Sequence, residues 1–225
     1  MGKIIFNLVF FFLNIKNFAI SLFASPVFWR SGLMEIKSSK IQKKTRLIAP
    51  YAIYSTSIDE GTYLSTNSRV SFTEIGKYCS IGPNFYCGYG IHPTNGISTH
   101  PAFYSTNQQA GFTFSNKNLI EERKLIKIGN DVFIGMNVTV LDGVTISDGA
   151  IIGAGAIVSK DIPPYSIAVG NPIQIIKYRF SKEIIADLLE IKWWDLEPKN
   201  LKLLNNYFFD IEKFIEKIKE MKSKK

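Results

Sequence analysis

The chain has 225 residues, 46% of them hydrophobic, and a formal net charge of +8, which is enough for one sizeable domain with appendages. Much of the positive excess lies in 37–46 and 213–225, which predicts either solvated ends or attraction to an anionic membrane or phosphorylated ligand. No basic stretch alternates with aromatic residues in a nucleic-acid-binding pattern, so no nucleic-acid partner is expected. Cys79 and Cys87 have no CxxC or Cys/His spacing, which predicts buried, reduced thiols and no metal requirement.

Residues 1–35 form an apolar N-terminal segment that we expect to be helical. In its central part, IIFNLVFFFLNIKNFAISLFA at 4–24, Asn7, Asn14, Asn17 and Ser21 lie near one helical azimuth, opposite a wide apolar face. Three alternatives are open: a signal peptide, a transmembrane anchor, and a helix lying on the membrane or packed in the protein's own oligomer. The polar stripe favours the third. The predicted location is cytoplasmic, with peripheral attachment at the inner face of the membrane as an alternative.

A six-residue repeat dominates the stretch from 128 to 163, IGNDVF IGMNVT VLDGVT ISDGAI IGAGAI VSKDIP. The first place of each hexad is a β-branched aliphatic residue: Ile128, Ile134, Val140, Ile146, Ile152 and Val158. The fifth place is mostly small: Val132, Val138, Val144, Ala150, Ala156 and Ile162. This period fits neither a helix nor an alternating strand. It predicts a hexapeptide β-helix, in which three hexads close one triangular coil of about eighteen residues.

The same rhythm begins earlier, at Ile41, but less regularly. Its aliphatic positions are spaced 6, 6, 5, 6, 6, 5, 6 and 6 up to Cys87. The two short steps lie seventeen residues apart, which predicts that one corner is tightened once in each coil. The rhythm then stops between 88 and 125, a loop too long for a corner. Such loops in compact proteins are usually functional or disordered, and the aromatic content of this one argues for a folded loop that packs on a neighbouring subunit.

The C-terminal part changes character after the repeats. The array is predicted to end before Pro163 and Pro164, because proline cannot continue a β ladder. Residues 165–177 are expected to form one last strand with a Gly-Asn-Pro turn. Helical spacing follows Ser181, a suitable N-cap, and again from Asp210. The predicted organisation is an apolar segment at 1–35, a β-helix domain at 36–177 with its loop at 88–125, and a helical extension at 178–225.

The motifs in this order resemble the hexapeptide-repeat acyltransferases, and within them the xenobiotic (chloramphenicol and streptogramin) acetyltransferases. They are EIGKYCSIGPN at 74–84, HPTNGISTHPAFY at 92–104, IGNDVFIG at 128–135, GAGAIVSKDIPPYSIAVGNP at 153–172, and RF followed by LLEIKWW at 188–194. Polysaccharide O-acetyltransferases have very similar segments. The resemblance implies a left-handed parallel β-helix, a homotrimer, and active sites in the grooves between neighbouring subunits.

The resemblance also implies which residues act. His92 matches the family's catalytic histidine and would be the general base for direct attack of a hydroxyl on the thioester of acetyl-CoA. His100 corresponds to a variable place. The positions that match the acetyl-CoA site are Met136, Ala154, Ser159, Lys160 and Lys177, where the lysines would meet phosphates. Phe133 stands where the family often has tryptophan, a departure that could alter packing at the groove.

The acceptor is left open between alternatives. Tyr86, Tyr89, Asn95 and Tyr104 are candidates for a platform that holds a sugar or an antibiotic, although packing at the trimer seam would also account for the aromatic residues. The apolar N-terminus favours a sugar of a surface polysaccharide or its lipid-linked precursor over an antibiotic. A γ-carbonic anhydrase-like enzyme needs three histidines on zinc, and the chain has two. A β-helix that serves only as a scaffold is a further alternative.

Overall fold

The computed structural model describes residues 34–223, of which the strands between 34 and 178 wind into a prism of stacked triangular coils. Its strands, in chain order, are β1 (Met34–Lys37), β2 (Lys40–Ile41), β3 (Arg46–Leu47), β4 (Tyr51–Tyr54), β5 (Ser57–Ile58), β6 (Tyr63–Leu64), β7 (Ser68–Ser71), β8 (Thr73–Ile75), β9 (Ser80–Ile81), β10 (Tyr86–Cys87), β11 (Ile126–Ile128), β12 (Phe133–Ile134), β13 (Thr139–Val140), β14 (Thr145–Ile146), β15 (Ile151–Ile152), β16 (Ile157–Val158), β17 (Ser166–Val169) and β18 (Gln174–Tyr178).

Every third strand joins the same face of the prism. Sheet A is formed by β1, β4, β7, β10, β13 and β16, and sheet B by β2, β5, β8, β11 and β14. Sheet C is formed by β3, β6, β9, β12, β15 and β17, with β18 added antiparallel at its end. All other pairings between these strands are parallel. The predicted hexapeptide β-helix is confirmed.

The register also accounts for the irregular rhythm near the N-terminus. Tyr51 lies opposite Ser68, a coil of 17 residues, whereas Phe133 lies opposite Ile151, a coil of 18 residues. The missing residue falls at the corner between sheets A and B, where β4 and β5 are separated by only two residues. The tightened corner predicted from the five-residue steps is therefore confirmed.

The prism interior is filled by the two repeat positions that the sequence assigns to it. The first-place residues are at most 3% exposed and the fifth-place residues at most 5% exposed. Cys79 and Cys87 point inward as predicted, at 0% and 1% exposure. The long loop leaves the prism at the corner between β10 and β11, which is the same A–B corner that is tightened in the coils below.

The end of the repeat array differs from the prediction. Beyond the paired prolines, Ile162 bridges to Ile146 and β17 pairs in parallel with β15, so the last coil is completed after them. The prediction that the array stops before Pro163 is wrong because the two prolines occupy a corner, where the ladder does not need their nitrogens. The last strand expected at 165–177 with a Gly-Asn-Pro turn is a hairpin, in which that turn separates β17 from β18.

The C-terminal helices pack against the corner between sheets B and C. They are α1 (Lys182–Ile191), α2 (Pro198–Leu201), α3 (Leu203–Asn206) and α4 (Ile211–Ser223), with a 3-10 turn at Trp193–Asp195. Ser181 caps α1 as predicted, accepting a hydrogen bond from the Ile184 amide. The ion pair between Lys77 Nζ and Asp195 (2.7 Å) and the pair between Arg179 and Asp131 (3.0 Å) hold this layer to the prism.

The predicted N-terminal helix lies outside the described residues. Within 34–223, no helix combines the length and the apolar character that crossing a bilayer requires.

Candidate active site

The two ends of the long loop are fastened to the prism by Asp142, a residue of the next coil. Its side chain is only 3% exposed and pairs with Arg123 at 3.3 Å. The same carboxylate accepts hydrogen bonds from the Gly90 amide (3.0 Å) at the start of the loop and from the Lys124 amide (3.3 Å) at its end. Arg123 also donates to the Gly88 carbonyl. The loop therefore leaves and rejoins the prism at one fixed point.

A second carboxylate, Glu122, organises the interior of the loop. It accepts hydrogen bonds from Ser105 Oγ (2.6 Å), Asn107 Nδ2 (2.9 Å) and Gln109 Nε2 (2.6 Å). Its backbone carbonyl accepts from the Ile91 amide at 2.8 Å. These bonds tie both arms of the loop together, as the sequence-based expectation of a folded loop requires.

His92 lies on this scaffold, and hydrogen bonds to Nδ1 hold one edge of its imidazole ring. Its Nδ1 is 2.8 Å from the Thr99 carbonyl oxygen and 2.9 Å from the Tyr104 hydroxyl. A carbonyl oxygen can only accept, so Nδ1 carries a proton, and in the neutral ring Nε2 is then the accepting nitrogen. Tyr104 is 4% exposed, whereas the His92 side chain is exposed. Among residues 34–223 the recorded hydrogen bonds of the ring are made by Nδ1, which leaves Nε2 available to an acceptor hydroxyl.

His100 has a structural environment instead. Its Nδ1 accepts a hydrogen bond from the Ala102 amide at 3.2 Å and caps the 3-10 turn Pro101–Phe103. Its ring stacks on Phe112 with 6.3 Å between centroids. With Nδ1 used as an acceptor within the loop, the arrangement of His100 is the reverse of that of His92.

A groove of about 570 Å³ runs along sheet A beside the root of the loop. Tyr86 and Tyr89, two of the predicted acceptor-binding residues, line it together with Arg69, Thr139 and residues 87–91 and 140–142. His92 follows directly on Ile91, the last groove residue of the outgoing arm. The histidine is therefore one residue beyond the groove lining along the chain.

The other two predicted acceptor residues lie elsewhere. Tyr104 is buried behind the His92 ring, with 6.2 Å between the ring centroids, and its hydroxyl contacts Nδ1. Asn95 is exposed and outside the groove lining. Their contact with an acceptor stays a prediction.

The five residues predicted for the donor lie at three places on one prism. Met136 and Ala154 occupy the corner between sheets C and A in successive coils, and Ser159 and Lys160 follow β16 at the A–B corner. Lys177 lies on β18, at the end of sheet C. All five side chains are exposed. Residues 34–223 contain no cluster of three or more His, Cys, Asp or Glu side chains that could hold a metal ion.

Comparison with known proteins decides the family. The family model described as "Bacterial transferase hexapeptide (six repeats)" matches residues 126–160. A chloramphenicol acetyltransferase of Morganella morganii is 32% identical over 196 residues, which are 80% of this chain and 92% of the relative. This chain is a hexapeptide-repeat acetyltransferase of the chloramphenicol acetyltransferase type. A second such relative, from Agrobacterium fabrum (strain C58 / ATCC 33970), is 34% identical over 64% of this chain and 69% of its own length.

A solved structure of similar fold is a galactoside acetyltransferase in complex with coenzyme A, at 26% identity and a TM-score of 0.48, covering 65% of this chain and 71% of that one.

The residues predicted for the donor have side chains that suit the chemistry of acetyl-CoA, the donor implied by the family. Within 34–223, neither Lys160 nor Lys177 pairs with a carboxylate, whereas eight other ion pairs form. Two unneutralised lysines match the phosphates of the cofactor. Gly155, beside Ala154, has φ +73° and no other group within 4 Å of where a Cβ would stand. The corner is thus open for an extended pantetheine chain.

Sequence reasoning missed the groups that orient the acetyltransferase's histidine. The Thr99 carbonyl leaves no side-chain signal, because any residue could supply it. Tyr104 was identified as an aromatic residue of the loop but assigned to the acceptor. Asp142 and Arg123 were missed because they are 19 residues apart and meet only when the loop closes on the corner above it.

Proposed function

We propose that this enzyme is an acetyl-CoA-dependent O-acetyltransferase that acetylates a hydroxyl of a sugar, in a surface polysaccharide or its lipid-linked precursor. The observation that carries the proposal is the fixed tautomer of His92, since an exposed Nε2 without a proton is what a base for a hydroxyl requires. The adjoining groove, lined by two tyrosines and an arginine, suits a polyhydroxylated acceptor.

In this mechanism His92 acts as base and then as acid. Bound acetyl-CoA would supply the acetyl group as a thioester. Nε2 takes the hydroxyl proton as the acceptor oxygen bonds to the acetyl carbon, and the same proton passes to the sulfur as the carbon–sulfur bond breaks. The Thr99 carbonyl and the Tyr104 hydroxyl stabilise the imidazolium between these steps, because both contact the protonated Nδ1. No covalent intermediate on the protein is needed.

The proposal includes assembly as a homotrimer with the site at the seam. On one prism, the predicted donor residues lie at both edges of sheet A and on β18. A donor held between two prisms would reach one edge from each. The loop also presents Phe103, Phe112 and Phe114 at 54%, 50% and 75% exposure, an apolar surface that a neighbouring subunit would cover. Peripheral attachment to the inner face of the membrane through residues 1–35 belongs to the same proposal.

A second candidate acceptor is an antibiotic of the chloramphenicol kind. It is favoured by the names of the curated relatives. Release of free thiol from acetyl-CoA with chloramphenicol, but not with sugars or glycan fragments, would replace the sugar in this proposal while leaving the role of His92 intact.

The test of the chemistry is His92→Ala with His100→Ala as its matched control. We expect His92→Ala to lower kcat by roughly 10²- to 10⁴-fold, the usual contribution of a general base. His100→Ala should retain near-wild-type kcat, because that ring bonds within the loop. Calorimetric titration should detect acetyl-CoA binding to both variants. Equal activity in the two variants would refute His92 as the base, whereas a wild type that neither binds acetyl-CoA nor turns over would favour a scaffold.

A further inference from the structure

The groove beside His92 contains an arginine whose charge is not neutralised by the protein. Arg123 and Arg179 pair with Asp142 and Asp131. Arg69, in the middle of sheet A, pairs with no carboxylate among the residues that the structure describes, and its side chain is exposed. It also lines two adjoining depressions: the groove beside His92, and a smaller one of about 160 Å³ toward the first coils. A ligand bound in either depression can therefore contact Arg69.

The neighbours of Arg69 present hydrogen-bond donors rather than charges. Arg69 stands directly below Tyr86 in the register of β7 and β10. Burial raises the pKa of Tyr89, and the charge and hydrogen bond of Arg69 oppose that rise. The Tyr89 hydroxyl and the Arg69 guanidinium can both donate hydrogen bonds to a group bound in the groove. Two donors thus converge on the groove, and one of them is a cation.

The carboxylates nearest to the groove are already occupied. Asp142 is buried against Arg123 and the two ends of the loop. Glu35 lines only the smaller depression and accepts a 2.5 Å hydrogen bond from Tyr54. That bond is the main reason why the pKa of Tyr54 rises to about 12, a rise that the charge of Arg69 opposes. An anion would be repelled at the Glu35 end and attracted between Arg69 and Tyr89.

We infer that the acceptor carries an anionic group, a carboxylate or a phosphate, which Arg69 binds while His92 faces the hydroxyl. A planar guanidinium fork matches both anions in geometry. The acceptor class is then an acidic sugar or a phosphorylated, nucleotide- or lipid-linked sugar, rather than a neutral compound such as chloramphenicol. For turnover the inference rests on the proposed function, whereas binding of the anion does not depend on it.

The experiment compares three acceptors that share one ring: glucose, glucuronic acid and glucose 1-phosphate. For the wild type we expect a lower KM for at least one of the two anions than for glucose, and a KM for it that rises with added NaCl. Arg69→Met should reduce the ratio of kcat/KM for that anion over kcat/KM for glucose by roughly 10- to 100-fold. Arg69→Lys should restore part of the ratio. The anion whose kcat/KM ratio over glucose falls in Arg69→Met shows whether a carboxylate or a phosphate is the recognised group.

The matched control is Arg46→Met, which removes an exposed arginine from sheet C and should leave the ratio unchanged. An equal loss for all three acceptors in Arg69→Met, or a wild type that does not prefer either anion, would overturn the inference. Binding of the two anions, measured by calorimetry in the presence of CoA, gives an independent readout. If no acceptor is acetylated but anion binding is still lost in Arg69→Met, the proposed reaction fails and the anion site stands. If acceptors are acetylated but neither anion is preferred over glucose, the proposed reaction stands and the anion site fails.

Discussion

The two histidines of the loop differ in which ring atom the protein uses. In His92, Nδ1 faces a carbonyl and a hydroxyl, so Nε2 is the accepting nitrogen of the neutral ring. In His100, Nδ1 accepts from a backbone amide, so the proton belongs on Nε2. Both residues precede a proline in the sequence, and no local pattern distinguishes them. The difference is created by the fold of the loop between 92 and 104, which brings Thr99 and Tyr104 back onto the first ring.

Tyr104→Phe tests whether the hydroxyl on His92 positions the base or binds the acceptor. The Thr99 carbonyl still holds Nδ1 in this variant, so the tautomer is kept. We expect kcat to fall about 3- to 10-fold, the worth of one ordinary hydrogen bond, with KM for the acceptor little changed. Thr99→Ala, which keeps the carbonyl, is the control and should retain wild-type kcat. A rise in KM with unchanged kcat would instead return Tyr104 to the acceptor-binding role predicted from the sequence.

The two cysteines provide a prediction that depends on pH. Burial raises the pKa of both Cys79 and Cys87 to about 12, so folded protein at pH 8 holds thiols rather than reactive thiolates. We expect Ellman's reagent to label neither cysteine in native protein and both in guanidinium chloride. Unfolded cysteines ionise near pH 8.5. The free energy of unfolding should therefore fall as pH rises from about 8.5 toward 12, because only the unfolded chain releases these protons. Rapid native labelling would contradict the burial.

At the scale of elements, the repeats were predictable and the loop was not. A hexad places each aliphatic residue by its own sequence position, so Ile134 or Val158 could be assigned to the interior directly. The loop depends on contacts between residues far apart in the chain, such as Ser105 with Glu122. The end of the array differs from the prediction for a related reason. Proline has no N–H to donate to a β ladder, but at a corner of the prism the ladder does not need that N–H.

Gly88→Ala tests the point where the loop leaves the prism. Gly88 has φ +69°, and a Cβ there would lie 1.8 Å from the Ser71 carbonyl oxygen, so the backbone must move. Gly111, in the same loop, has φ +83° with nothing within 4 Å of its Cβ position. Gly111→Ala should therefore lower the free energy of unfolding only through the strain of a non-glycine residue at positive φ, by about 1 kcal/mol.

We expect Gly88→Ala to destabilise the protein clearly more than this control, and to lower kcat because His92 is displaced. Thermal unfolding and acetyl-transfer assays check both effects. Similar Tm values and kcat values for the two variants would mean that the A–B corner tolerates a shift of the loop root.

At the scale of the whole molecule, the loop, the groove and the C-terminal helices lie at different corners and faces of the prism. The loop with His92 leaves at the A–B corner, the groove lies on sheet A, and the C-terminal helices pack on the B–C corner. Tyr165, Ile185, Leu188 and Phe214 form a second apolar cluster there. The helical layer and the groove on sheet A therefore lie on different sides of the prism.

Within residues 34–223, the first coil of the prism is less closed than the second. Inward residues of the second coil, including Leu64, are fully buried, whereas Leu47, directly below Leu64 in sheet C, is only partly buried. Stacking buries a side chain on both sides in the middle of a repeat array, and a terminal coil lacks one neighbour. The two leucines thus share residue type, sheet and register, and differ only in the coil that they occupy.

Truncating these two leucines measures how far the first coil is closed. Leu64→Ala should destabilise by about 2–5 kcal/mol, as for a fully buried leucine, because it leaves a cavity enclosed by the coils on either side. Leu47→Ala should cost at least about 1 kcal/mol less, since less of its surface leaves water on folding. Denaturant unfolding of the full chain at one protein concentration checks both values. Equal costs would mean that Leu47 is covered in solution by something beyond residues 34–223 of its own subunit.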